Sequence, residues 1–311
     1  MSTRKSSHSA QVIWFALFCD GAVAAAKFIA AAYSGSTVML SEALHSLADT
    51  STQVLLLAGR MFSLKPATAQ HPFGYGKERF FWPLIVSFLI FSIGGVFSVT
   101  RGIEQVRHPR PLLYLDRNLM VYLLALILDG VSWFTAYREF TRSSSTSLWQ
   151  TIRNSKTPGV LAVFLEDTAG IAGVGIAALG TLIVSRTRMW MIDGLTSLLI
   201  GTLLFLVAFV IAAKTRSLLI GESASDEVLC KIREVVQSTN EVERLINLLT
   251  MHLGPEEILI NLDLEFKDGL NTRRIESVID QIEQRIRTAV PGAKKIFIEA
   301  ESPPKTNSLS H

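Results

Sequence analysis

The chain has 311 residues, 49% hydrophobic and only 18% charged, and its mean hydropathy is positive, which is membrane-protein composition when the apolar residues gather in long runs. Its net charge of +3 is made of short clusters rather than one basic patch, so nothing implies a nucleic-acid partner. The two cysteines, Cys19 in an apolar run and Cys230 in a polar one, give no disulfide framework.

The apolar residues do form long runs. The opening MSTRKSSHSA precedes a spanning-length stretch without a small-residue cleavage site, so it reads as a cytoplasmic tail (residues 1–10) rather than a signal peptide. Six spans are expected, at about 11–33, 36–62, 80–103, 113–137, 159–183 and 189–212, each long enough for a hydrocarbon core of roughly 30 Å at about 1.5 Å per residue. Together they make a transmembrane transport domain over 11–214. The first two are separated only by Ser34-Gly35-Ser36, a tight antiparallel turn. Arg4, Lys5, Arg60, Lys65, Lys77, Arg79, Arg138, Arg142, Arg153, Lys156, Lys214 and Arg216 flank the spans on the side of the N-terminus, twice as many basic residues as on the other side. Both termini are therefore expected in the cytoplasm, which for a bacterial chain means an inner-membrane protein.

The second span carries Ser41-Glu42-Ala43-Leu44-His45-Ser46-Leu47-Ala48-Asp49. On a helix His45 and Asp49 share a face, about 6 Å apart at Cβ, and Glu42 joins the same stripe. An imidazole beside carboxylates is a divalent-cation constellation, and ionisable groups at membrane depth usually face the bundle interior. The alternative is a buried ion pair that only holds helices together. In the fifth span Glu166-Asp167 interrupts a run rich in glycine and alanine, and small residues at 169, 170, 172, 173 and 175 permit close approach to a neighbouring helix. If that neighbour is the second span, Asp167 meets His45 and Asp49, and three ligands from two helices make most of a tetrahedral site. Asp20 and Lys27, seven apart, could pair on one face of the first span. Asp129 reads either as structural or as part of a proton path, and Asp193 as interfacial.

After about Lys214 the apolar runs stop. Ser225 caps a helix with Val228, Ile232 and Val235 on one face. A weaker strand over 244–252 is broken at Gly254-Pro255 from a half-buried strand in which Ile258, Ile260, Leu262, Leu264 and Phe266 alternate with more polar positions. Asn271 opens a helix with Ile275, Val278, Ile279, Ile282 and Ile286 on one face, Pro291-Gly292 ends it, and 294–300 is a last strand. The order α-β-β-α-β over 215–301 makes a small two-layer α+β domain, followed by a disordered tail at 302–311.

Several motifs, in order, resemble those of the cation diffusion facilitator family of divalent-metal transporters. GSTVMLSEALHSLADT is similar to its second-span metal motif and HPFGYGKERFFW to the inner loop that follows. REF, SKTP and VFLEDTAG are similar to the fourth-to-fifth-span region, and LIGESAS to the junction with the cytoplasmic domain. The LEDTAG form resembles the branch shared by bacteria and mitochondria. The resemblance implies a six-span homodimeric antiporter that moves Zn2+ or a similar ion out of the cytoplasm in exchange for protons, with a ferredoxin-like cytoplasmic domain pairing the subunits. It places His45, Asp49 and Asp167 at metal-ligand positions. The remaining fifth-span position is Val163, which cannot bind metal, so Glu166 or water supplies the fourth ligand, and Glu42 supports the set from outside it. His71 matches one ligand of the family's loop site, but Tyr75 stands where a second histidine is found. In the cytoplasmic domain Asn261, Arg274, Glu299 and Glu301 stand at or near the family's metal positions, so that cluster is expected to be missing.

A mixed nitrogen and oxygen set suits Zn2+, Co2+ or Fe2+ better than Mg2+ or Ca2+, without excluding Mn2+ or Ni2+. Such ligands bind metal only when deprotonated, so metal and proton compete and a single midplane site couples their fluxes. No nucleophile–base pair or cofactor motif suggests an enzyme. A membrane metal sensor or scaffold working through its cytoplasmic domain is the alternative from another class.

Overall fold

A computed structural model describes residues 21–141, 151–152 and 155–301. The expected tails at 1–10 and 302–311, and residues 11–20 of the first expected span with Asp20, lie outside them. The chain divides into two compact units. One holds the residues up to Leu64 and from Glu78 to Arg216; the other joins Lys65–Lys77 to the residues from Ser217 onward.

The first unit is helical. Helix α1 (Gly21–Ser34) ends where Gly35, at φ +71, donates its N–H to the Ala31 carbonyl (2.9 Å). Ser36 then caps α2 (Thr37–Ser63), its hydroxyl accepting from the Met39 N–H at 3.1 Å. This is the tight turn that the sequence predicts. Helix α3 runs from Glu78 to Arg107, tolerating Pro83 and winding as a π-helix over Ile90–Val96. Helices α4 (Leu115–Thr141), α5 (Pro158–Thr187) and α6 (Met191–Ile220) follow. Helix α5 starts on Pro158, whose missing N–H costs nothing in a first turn. Helix α6 outruns the expected 189–212: no breaker occurs until Gly221, at φ +131. Among the described residues, α3, α5 and α6 are long and apolar enough to cross a membrane. Helix α2 is 27 residues long, but its polar stripe, from Ser41 and Glu42 to Thr52 and Gln53, lowers its hydropathy. The core of the unit includes Val38, Met39, Val86, Ile90, Tyr122, Val174 and Ile200, and α5 packs against both α2 and α4.

The second unit is a three-stranded sheet in the order β1-β2-β3 with two helices, α7 (Asp226–Gln237) and α8 (Thr272–Ala289). Strands β1 (Val242–Gly254) and β2 (Glu257–Phe266) form an antiparallel hairpin closed at Gly254↔Glu257; β2 and β3 (Ala293–Ala300) are parallel, joined through α8. Ile258, Ile260, Leu262 and Leu264 are buried, as the alternation predicts, against Ile232 and Val236 of α7 and Val278, Ile282 and Ile286 of α8. Asn271 caps α8 by accepting from the Arg274 N–H (2.9 Å), whereas Ser225 stands at the N-cap of α7 without a side-chain cap bond. The 65–77 loop belongs to this unit: Lys77 donates to the Leu219 carbonyl (3.3 Å), and a Cβ on Gly76 would lie 2.6 Å from the Leu253 carbonyl.

Candidate metal centre

The site starts from the anchored N-terminus of α2. Besides Ser36, the Asp193 carboxylate at the start of α6 caps this helix, accepting from the Ser36 hydroxyl (2.6 Å) and the Thr37 N–H (2.8 Å). One turn on, Ser41 and Ser197 hydroxyls meet at 2.7 Å, and Ser197 donates to the Ser98 carbonyl (2.9 Å). Asp193, expected at the interface, is thus a buried link between two helices, only 2% exposed.

These anchors fix the rotation of α2, and the polar stripe then faces α5. Glu42 and His45 are buried. His45 Nε2 lies 3.6 Å from Asp49 Oδ2, one turn away as the i,i+4 spacing predicts. That is beyond hydrogen-bond range, and neither ring nitrogen of His45 has a hydrogen-bond partner. A buried imidazole left this way loses its hydration unless a water, ligand or ion replaces it. Helix α5 leaves room for one. A Cβ added at Gly170 would stand 3.0 Å from His45 Nε2, and one at Gly173 would stand 2.7 Å from Glu42 Oε1. Gly175, the next small residue in the run, faces nothing within 4 Å.

Ser46 and Asp49 of the same stripe border a cavity of about 30 Å³, lined also by Val23, Gln53, Asp129, Asp167 and Gly170. It is polar and large enough for a water or a bare ion. Asp49 from α2, Asp129 from α4 and Asp167 from α5 therefore border one space. Glu166, its neighbour in sequence, turns about 100° away: its Oε1 accepts from Thr52 Oγ1 (2.9 Å) and its carboxyl adjoins Asp49. Val163 is half-buried. The structure thus brings His45 next to Asp49, and Asp49 to one cavity with Asp167. It does not draw three ligands tight: among the described residues no three His, Cys, Asp or Glu side chains are close enough to hold an ion.

Glu42, expected to support the ligands, is bonded to Lys27 of α1, whose Nζ lies 3.3 Å from Glu42 Oε2 and 2.8 Å from Ser46 Oγ, with Asp129 Oδ2 at 3.8 Å. Spacing allows Lys27 to share a face with Asp20, which lies outside the described residues. No signal in the sequence could name the partners found here, because they lie on other helices.

In the second unit His71 is exposed and its ring lies tilted against that of Tyr75, centroids 4.5 Å apart and planes at 34°. The positions at or near the family's cytoplasmic metal ligands are engaged otherwise. Asn261 donates to Asp263 Oδ1 (3.4 Å), Arg274 is hydrogen-bonded to Glu241, and Glu299 pairs in register with Asp263. Arg274 holds the Glu241 carboxyl below its ordinary range.

Comparison with known proteins places the two parts of the chain in one family. Residues 13–220 match the family profile described as the cation efflux transmembrane domain, and residues 224–303 that of the cation efflux protein cytoplasmic domain. Metal tolerance protein C4 of Arabidopsis thaliana is 26% identical over 96% of this chain and 75% of its own length. The proton-coupled zinc antiporter SLC30A9, mitochondrial, of Homo sapiens is 31% identical over 89% of this chain, which spans 50% of that protein. The cation-efflux pump FieF of Klebsiella pneumoniae is 27% identical over 87% of the chain and 85% of its own length. A membrane-spanning helical domain followed by a small α/β cytoplasmic domain, each matching its own profile, makes this chain a member of the cation efflux (cation diffusion facilitator) family.

Proposed function

We propose that the chain is a secondary transporter that exports a divalent cation, Zn2+ foremost, from the cytoplasm in exchange for protons. His45, Asp49 and Asp167 are its ligands, with Glu166 or water completing the set. The observation that carries this reading is His45: a buried imidazole with no hydrogen-bond partner at either nitrogen, 3.6 Å from Asp49, whose carboxylate lines a cavity with those of Asp129 and Asp167. An approaching dication supplies the attraction that draws Asp167 toward the α2 pair. Imidazole and carboxylate together suit Zn2+, Co2+ or Fe2+, and relatives named as proton-coupled zinc antiporters favour zinc among these. The same ligands take up protons when the ion leaves, which couples the two fluxes.

The rest of the reading completes this transporter: six spans with both termini inside, and a ferredoxin-like domain over 215–301 through which two copies pair. The excess of basic residues on the N-terminal side supports the orientation. The test is uptake by the purified full chain in liposomes, comparing Zn2+, Mn2+, Co2+, Fe2+ and Cd2+ across an imposed pH gradient. Zinc flux that follows the gradient is expected. Absence of flux, or flux indifferent to the gradient, would overturn the reading, and a sensor or scaffold would move no metal at all.

A further inference from the structure

The candidate site leaves one buried charge unused. Lys27 of α1 is fully buried. An ammonium at that depth is costly unless it is paired, and paired groups there are usually functional. Its Nζ bridges three helices: Glu42 Oε2 (3.3 Å) and Ser46 Oγ (2.8 Å) on α2, and Asp129 Oδ2 (3.8 Å) on α4. Two of these partners, Ser46 and Asp129, also line the cavity with Asp49 and Asp167. Glu42 stands one turn before His45 and would reach the same space. Instead one of its oxygens is held by Lys27 and the other, buried and without a hydrogen-bond partner, points at Gly173.

Five carboxylates therefore crowd around α2: Glu42, Asp49, Asp129, Glu166 and Asp167. A dication needs roughly two of them and must also be released. We propose that Lys27 is a tethered counter-cation that sets the charge of this site: it withdraws Glu42, and in part Asp129, from the transported ion, leaving a set weak enough to let a divalent cation go. The inference rests on the transport reading above and deepens it. It assigns an affinity-setting residue that touches no metal and acts through Glu42 and Asp129.

Charge-setting differs from mere clamping of helices in the direction of its effects. Lys27→Gln removes a positive charge beside the cavity, whereas Glu42→Gln removes a negative one. Low effective dielectric makes each change worth at least tenfold in affinity for a dication. The expected results for the purified full chain in liposomes are a zinc KM at least tenfold lower for Lys27→Gln, with a reduced maximal rate because release slows. For Glu42→Gln the KM should be at least tenfold higher. The double substitution, neutral overall, should reverse most of both shifts. If Lys27→Gln proves unstable, Glu42→Gln and the double variant still carry the comparison.

Zinc titration of the detergent-purified proteins by calorimetry should show the same opposite shifts in Kd. A clamp alone would move both single variants in the same direction. That outcome, or shifts below threefold, would overturn the proposal while parent flux left the transport reading intact. A parent that binds zinc but carries none would fail the transport reading alone, and a parent that binds none would overturn both.

Discussion

Replacing Gly170 by alanine tests whether His45 Nε2 is a metal-binding atom. The added Cβ would stand 3.0 Å from Nε2 and 3.7 Å from Cδ2 of that ring. A zinc ion on the same nitrogen sits about 2.0–2.1 Å from it, so a methyl group on the α5 side, where Asp167 lies, competes for the ion's place. The effect on folding is small because two contributions oppose. Alanine in a helix interior gains about 1 kcal/mol over glycine, and a tight contact in a packed interior costs about 1–3 kcal/mol. The expected protein is made and inserted normally, with a melting temperature within a few degrees of the parent. Its zinc affinity should fall by more than about 100-fold, since altering even the outer partners of a ligand costs roughly 10–100-fold. Zinc calorimetry in detergent and uptake by proteoliposomes measure the two sides. Gly175→Ala, on the same helix but facing nothing within 4 Å, is the control and should transport as the parent does. Parent-like affinity in a stable Gly170→Ala protein would show that Nε2 is not a ligand facing α5.

Asp49→Ala and Asp167→Ala should each abolish uptake while leaving insertion intact, because each removes a carboxylate from the shared cavity; vesicle flux at the parent rate in either would remove that residue from the site. His45→Asp should keep transport but raise Cd2+ or Mn2+ flux relative to Zn2+, since a carboxylate tolerates larger ions and more ligands than imidazole; flux ratios measured at two pH values check it. The fragment 217–301 should fold without zinc around its apolar two-layer core, and Ile260→Ala, which truncates a fully buried side chain, should cost about 2–5 kcal/mol in urea unfolding. In that fragment Arg274 lowers the Glu241 carboxyl from its ordinary 4.5. A depressed acid stabilises the fold above its unfolded value, and the gain is lost as pH falls through the folded value. Arg274→Ala should therefore lower stability at pH 7 and have no effect in strong acid, as paired urea titrations at the two pH values would reveal.

Much of the fold was legible in the chain. Turn chemistry at Ser34-Gly35-Ser36, the Asn271 cap and the period-two burial of Ile258 to Leu264 are local features, and the structure repeats them. So is the His45–Asp49 pair, because i,i+4 spacing alone puts two side chains on one helical face. The divergence of Glu166 from Asp167 follows equally from helix geometry. Other features could not be read locally. The π-helix at Ile90–Val96 has no such local mark, and the hydrophobic run alone ends α6 too early, short of the Gly221 that stops it.

What only the tertiary structure decided is which faces meet. Lys27 finds Glu42, Ser46 and Asp129 on two other helices, at separations in sequence that no periodicity encodes. Asp193 caps α2 from the start of α6, and Glu42 pairs with Lys27 of α1. Gly170 and Gly173 gain their meaning from the two α2 side chains they admit. Residue type and spacing determine what chemistry a helix face can offer. Packing, which assigns each buried charge the partner that offsets its desolvation, determines which of those offers the site takes up.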